Sequence, residues 1–280
     1  MKAERPSRTA QFVTLGRALA DAGLSHVPDF QDPTAHVFLS ERAKLRVAKA
    51  QRAVQAGKRA MAQVMADFIA LRTAAIDRAV RDAIAAGARQ LVILGAGYDG
   101  RAWRMPELAG VEVFEVDQPA TQAEKRAKLH ELPPAIGVVK FVSMNFRTDS
   151  LKTALDRARH DPSSPTCWIW EGVVMYLTHD VVRTTLAEIG ARSKAGSTLI
   201  VNYHTAHRRL LARLIFRLIG EPQISAWTPE EMAADLASAG FVVEDDSGMR
   251  DWNQRFAQGR ADVDRGHYMR IAVARTRRRP

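Results

Sequence analysis

Short apolar runs alternate with helical patterns along most of this chain, and that alternation predicts a fold before any motif is considered. Runs suited to buried strands occur at 91–94, 111–116, 137–142, 166–170, 197–203, 240–244 and 268–274. Segments with helical character at 119–130, 150–158, 179–193 and 229–239 separate most of them. Strand-helix alternation predicts an α/β fold, a mainly parallel sheet with helices on both faces. Between the last two runs lies only a polar stretch, Ser247 to Gly266, without a helix pattern. These two runs are therefore expected to pair as an antiparallel hairpin at one sheet edge.

Ahead of the first run, residues 35–86 contain no proline and are rich in Ala, Arg, Val and Met. Val64, Phe68, Leu71, Ala75 and Ile76 recur there at helical spacing, and Gly87 is a suitable helix stop. Residues 1–30 carry prolines at 6 and 28 and have weak periodicity. Between the fifth run and the last helix, Arg209, Arg213 and Arg217 recur every four residues, opposite Leu210, Leu211, Leu214, Ile215 and Leu218. That is an amphipathic helix with a basic stripe, either a surface helix packed on the core or a lid over a pocket. The resulting division is a helical extension over 1–86, a catalytic domain over 87–274 with a lid insertion at about 205–228, and a basic tail, 275–280. Trp168 and Trp170 are expected on opposite faces of their strand and, like Trp227 and Trp252, in the core.

Composition narrows the classes. The chain has 280 residues, enough for one large core with an appendage. One cysteine, Cys167 within the apolar CWIW, excludes an intrachain disulfide and a cysteine-rich metal site, and no metal site is expected. The start lacks an apolar signal-like run and no stretch is long enough to span a bilayer, which leads to the expectation of a cytoplasmic protein. A net charge of +10 leaves a polyanionic partner open alongside a simply basic surface.

The chemistry is concentrated in LVILGAGYDGRAWR, residues 91–104. The first strand ends in Gly95-Ala96-Gly97, where missing Cβ atoms allow a tight turn close to a ligand. Asp117 ends the next strand, about 20 positions on, where an acid can accept hydrogen bonds from a ribose diol. Gly100 stands at the count of a third dinucleotide-fingerprint glycine, so spacing alone admits NAD. Asp99 opposes it, because a carboxylate in that turn repels a pyrophosphate and suits the ammonium of S-adenosylmethionine.

RTAAID (72–77), LVILGAGYDGRAWR (91–104), VFEVDQPATQAEKRAKL (113–129) and WEGVVMYL (170–177) occur in this order over about half the chain. Together they resemble the leucine carboxyl methyltransferase family and its bacterial polyketide-type O-methyltransferase branch. The resemblance implies a Rossmann-like methyltransferase fold of seven strands with a reversed final hairpin, and S-adenosylmethionine as cofactor. It implies that Arg72 pairs with the cofactor carboxylate, that Gly95, Ala96 and Gly97 turn beneath its methionine part, and that Asp117, with neighbouring Gln118, binds the ribose. Glu171 matches a family glutamate beside the cofactor. Asn145-Phe146 replaces the family's Asp-Leu or Asp-Phe, and Asn keeps a carbonyl acceptor for adenine while losing the charge.

Methyl transfer from a sulfonium is an in-line displacement that depends on positioning. A carboxylate acceptor needs orientation, for which Arg209 and Arg213 are candidates. A hydroxyl acceptor benefits from a base, for which His204, Tyr203 and Tyr176 are candidates. The reading is an O-methyltransferase acting on a carboxylate or hydroxyl of a polyketide-like or acyl metabolite. Methylation of RNA or of a protein C-terminal carboxylate, and cofactor binding without catalysis, stand as alternatives. Specificity is expected from residues 1–60 and 205–228, where no motif identifies the acceptor.

Overall fold

The structure, a computed structural model, describes residues 8–57, 61–146, 148–206, 224–262 and 268–276. A seven-stranded sheet runs β1 (Gln90–Leu94), β2 (Glu112–Asp117), β3 (Val138–Ser143), β4 (Thr166–Trp170), β5 (Thr198–His204), β6 (Phe241–Gly248) and β7 (Met269–Thr276). Their spatial order is β3-β2-β1-β4-β5-β7-β6. The first five are parallel, and β7 is antiparallel to both β5 and β6. β1, β4 and β5 are buried at every position, which is why they read as unbroken apolar runs.

Side chains alternate between two cores. Leu91, Ile93, Val113, Cys167, Ile169 and Ile200 face Leu71, Ile76 and Val80 of the long helix α4 (Met61–Ala85). Val92, Leu94, Phe114, Trp168, Trp170 and Leu199 face α7 (Leu151–Arg157) and α8 (His179–Ala191) through Leu155, Val182 and Ile189. Trp168 and Trp170 thus share one face, as positions two apart on a strand must, and not the opposite faces expected. Trp227 and Trp252 are buried as well.

Among the described residues the N-terminal extension holds four α-helices, α1 (Arg8–Leu19), α2 (Thr34–Phe38), α3 (Glu41–Gln55) and α4, with a π-helical turn over Ala20–Leu24 following α1. α1 falls where periodicity was weak. It is covered on several sides, with Thr14, Arg17, Ala18 and Leu19 all buried, so no one-sided apolar stripe marks it. Gly16 lets it lie directly on α4, since a Cβ there would stand 2.4 Å from Ile69 Cγ1.

Two further expectations need correction. A helix, α10 (Met249–Ala257), fills the polar stretch between β6 and β7. Its buried face, Met249, Trp252, Asn253 and Ala257, follows helical spacing, a pattern masked by the polar residues that surround it in sequence. The basic tail also starts later than expected, because β7 continues through Arg275 and Thr276. Residues 207–223, which carry Arg209, Arg213 and most of the expected lid helix, lie outside the described residues. No helix among the described residues is long and apolar enough to cross a membrane.

Candidate active site

The sheet reverses its winding between β1 and β4, so a crevice opens at the carboxyl ends of the parallel strands. Register places its walls. Leu94 pairs with Val116 on one side and Trp170 on the other, so Gly95, Asp117 and Glu171 leave the sheet side by side. A cavity of about 500 Å³ lies there, within the range of small-molecule sites.

The loop after β1 is shaped by its glycines. Gly95 and Gly97 adopt φ of 72° and 52°, left-handed values that disfavour a side chain. A Cβ on Gly95 would also stand 2.2 Å from Val173 Cγ2. Gly95 and Ala96 both donate to Val116 O, at 2.8 and 3.0 Å. Gly100 has a different reason: its Cβ would collide with Thr34 Oγ1 at 1.8 Å, so the glycine serves packing against α2.

Asp117 accepts one backbone N–H on each carboxylate oxygen, from Gly97 at Oδ2 and from Gln118 at Oδ1, 2.6 Å. Burial pushes its pKa up, and the two N–H donors oppose that shift. Each oxygen retains a lone-pair direction for a further donor in the cavity. Asp99, also on the wall, accepts from the N–H of Arg101 at 2.7 Å and from its guanidinium. Burial opposes its ionisation, but the charges of Arg101, Arg17 and Lys125 outweigh this and hold its carboxyl below the usual range.

Glu171 joins two arginines from different elements: Arg72 of α4 at 2.7 Å and Arg101 of α5 (Arg101–Arg104) at 3.1 Å. Arg72 Nε is buried and has no hydrogen-bond partner among the described residues. A buried guanidinium donor without a partner, beside a cavity, fits an anionic ligand group. Phe146 stacks on Trp170 with ring centroids 6.2 Å apart. The N–H of Asn145 donates to Asp149 Oδ2 at 2.9 Å, fixing the turn after β3.

All ten residues expected at a cofactor site line this one cavity: Arg72, Gly95, Ala96, Gly97, Asp99, Asp117, Gln118, Asn145, Phe146 and Glu171. The three candidate bases separate. Tyr176 lines the cavity, and its hydroxyl is 3.3 Å from Thr9 Oγ1 of α1. Tyr203 does not line it; its buried hydroxyl donates to Asp246 at 2.7 Å. Burial and that carboxylate push its pKa well above the ordinary phenol value, which keeps the proton on. His204 also lies outside the lining, edge-on against Tyr268 at 4.9 Å between ring centroids.

Sequence reasoning missed the roof as a set of residues. Thr9, Ala10, Val13 and Arg17 of α1 close the cavity from above, and Ile224, just after residues 207–223, reaches its rim. Arg17 ties the roof down, pairing with Asp32 at 3.0 Å and donating to Tyr98 O at 2.6 Å. No local signal could have marked Arg17, because its partners come from remote parts of the chain.

A family model described as leucine carboxyl methyltransferase matches residues 10–190. The chain is 35% identical over 240 residues to a protein of Frankia alni named "Putative S-adenosyl-L-methionine-dependent methyltransferase", covering 84% of this chain and 82% of that one. A Mycobacterium tuberculosis protein with the same description is 42% identical over 146 residues, 51% of this chain, so the match spans about half of that relative (46%). Among solved structures, a duf574 family protein from Streptomyces avermitilis superposes with a TM-score of 0.61 at 15% identity, covering 97% of this chain and 98% of that one. That likeness is one of fold.

Proposed function

The chain belongs to the leucine carboxyl methyltransferase family and is an S-adenosylmethionine-dependent methyltransferase, and from that premise we propose that it methylates an oxygen of a small metabolite. The observation that carries this reading is the roofed cavity. Its cofactor-side wall is the charged and glycine-rich set described above. The remaining rim is largely apolar, with Val13, Val173, Leu177 and Ile224. An acceptor must fit beneath α1, which favours an acyl or polyketide-like body over the surface of a folded macromolecule.

When bound, S-adenosylmethionine supplies a sulfonium methyl group. Asp117 would accept from its ribose hydroxyls, Arg72 would hold its carboxylate, Asp99 and Glu171 would attract its ammonium, and Asn145 and Phe146 would receive its adenine. Transfer would form the oxygen–methyl bond as the carbon–sulfur bond breaks, leaving S-adenosylhomocysteine as the other product. The task of roof and walls would be to exclude water and position the acceptor oxygen for transfer. Tyr203 and His204 being outside the lining favours a carboxylate acceptor, which is already ionised and needs no base. Tyr176 is the candidate base for a hydroxyl.

One observation favours a second reading. Arg42, Arg46, Lys49 and Arg52 form an exposed row on α3, which suits RNA. Incubation with methyl-labelled S-adenosylmethionine and a cell extract separates the two. Label in an organic-soluble small product, identified by mass spectrometry and released by mild alkali for a methyl ester, supports the proposal. Label confined to RNA or protein overturns it.

A further inference from the structure

Asp77 lies in the same RTAAID stretch as Arg72 but does not line the cavity. It is buried on α4 and takes up two guanidinium groups: Arg101 Nε at 2.7 Å, and Arg104 Nη1 and Nη2 at 2.6 and 3.0 Å. Burial works against its ionisation, yet Arg104 and Arg101 hold its carboxyl well below the usual carboxylate range. Arg101, anchored at Nε by Asp77, turns Nη1 toward both Asp99 and Glu171, two of the carboxylates that line the cavity. Glu171 in turn holds Arg72.

We propose that Asp77 is a positioning residue for the amino-acid end of the cofactor, acting through Arg101 to set Asp99, Glu171 and Arg72. The inference rests on the cofactor reading above. A guanidinium fork can bridge carboxylates only when its own plane is fixed, and Asp77 is the group that fixes it from behind. Without that charge, Arg101 keeps only its two cavity-side partners and is drawn toward them. Glu171 then loses the geometry that presents Arg72. The ribose and adenine contacts, carried by Asp117, Asn145 and Phe146, involve none of these atoms.

That division supplies the test. Binding of S-adenosylhomocysteine and of 5′-methylthioadenosine, which lacks the amino-acid end, is measured by calorimetry for the parent and Asp77→Asn. The expected result is a loss of about tenfold or more for S-adenosylhomocysteine, as for a charge-assisted contact, with 5′-methylthioadenosine within about twofold. Asp77→Glu, which restores the charge, should recover part of the loss. Equal losses for both ligands would indicate a merely structural role and overturn the proposal, as would no loss for either. If Asp77→Asn does not fold, Arg101→Lys reads the same point, since an ammonium cannot hold three carboxylates in one plane. It should show the same selective loss, and an unselective one refutes the idea. A parent protein that binds neither ligand overturns the cofactor reading itself, a result distinct from any difference between variants.

Discussion

Substituting Gly95 by alanine isolates the geometry of the turn under the proposed cofactor. The new Cβ faces two separate penalties. At φ of 72° an L-residue sits in the left-handed region, at a cost of about 1–2 kcal/mol. The Cβ would also stand 2.2 Å from Val173 Cγ2, which demands a shift comparable to overpacking a core, about 1–3 kcal/mol. Together Gly95→Ala should lower unfolding stability by roughly 2–5 kcal/mol, read from urea denaturation as a lower midpoint at unchanged slope. A double-mutant cycle separates the contributions. Val173→Ala removes the colliding Cγ2, so in that background Gly95→Ala should cost only the backbone share, leaving a coupling of about 1–3 kcal/mol. If Gly95→Ala costs under about 0.5 kcal/mol, or the two changes are simply additive, the turn is not as tight as argued.

Asp117→Ala should weaken S-adenosylhomocysteine binding by about 10- to 100-fold in calorimetry, since the variant loses the ribose acceptor and leaves Gly97 N–H unpaired; unchanged affinity would place the ribose elsewhere. Tyr203→Phe should leave methyl transfer within about threefold while costing about 1–2 kcal/mol of stability through Asp246; a large loss of kcat at unaltered stability would make Tyr203 a base after all. His160 is buried neutral, with Arg192 donating to its Nδ1 at 3.3 Å and its Nε2 within 3.1 Å of Thr166 Oγ1. Burial first, and then the Arg192 charge, lower its pKa from 6.5 to about 4. The unfolded chain therefore binds more protons between these values, so stability is full above about pH 6.5 and falls as pH drops toward 4, by at most about 3 kcal/mol. His160→Gln should flatten that part of a pH-resolved melting series, and an unchanged slope would contradict the assignment.

The strand order along the chain and the glycine-acid edge of the cavity were legible in the sequence for one physical reason, local spacing, while Arg72, Asn145 and Phe146 were expected there only from the family resemblance. Strands buried on both faces must be apolar throughout, and a glycine turn followed by an acid after the next strand reflects adjacent parallel strands in fixed register. That is why Gly95, Asp117 and Glu171 could be placed from sequence and stand together in the cavity. Where neighbours remote in sequence decide, the chain alone was silent or misleading. α1 shows no stripe because it is covered on several sides; α10 does carry helical spacing at Met249, Trp252, Asn253 and Ala257, but within a stretch whose overall polarity suggested a loop. Tyr203 and His204 both end β5, yet their hydrogen bonds and packing are set by β6 and by Tyr268. The buried charges make the same point: the pairing of Arg101 with Asp99 is local and could be expected from their spacing in the turn, whereas Arg17 and Asp77 look like ordinary surface residues until tertiary contacts supply the partners that allow a charge to be buried. Sequence by itself determined the strand order and the glycine-acid edge of the cavity, because both follow from local spacing; tertiary structure decided the roof, the charge network behind that edge, and which candidate base faces the cavity, because those depend on partners remote in the chain.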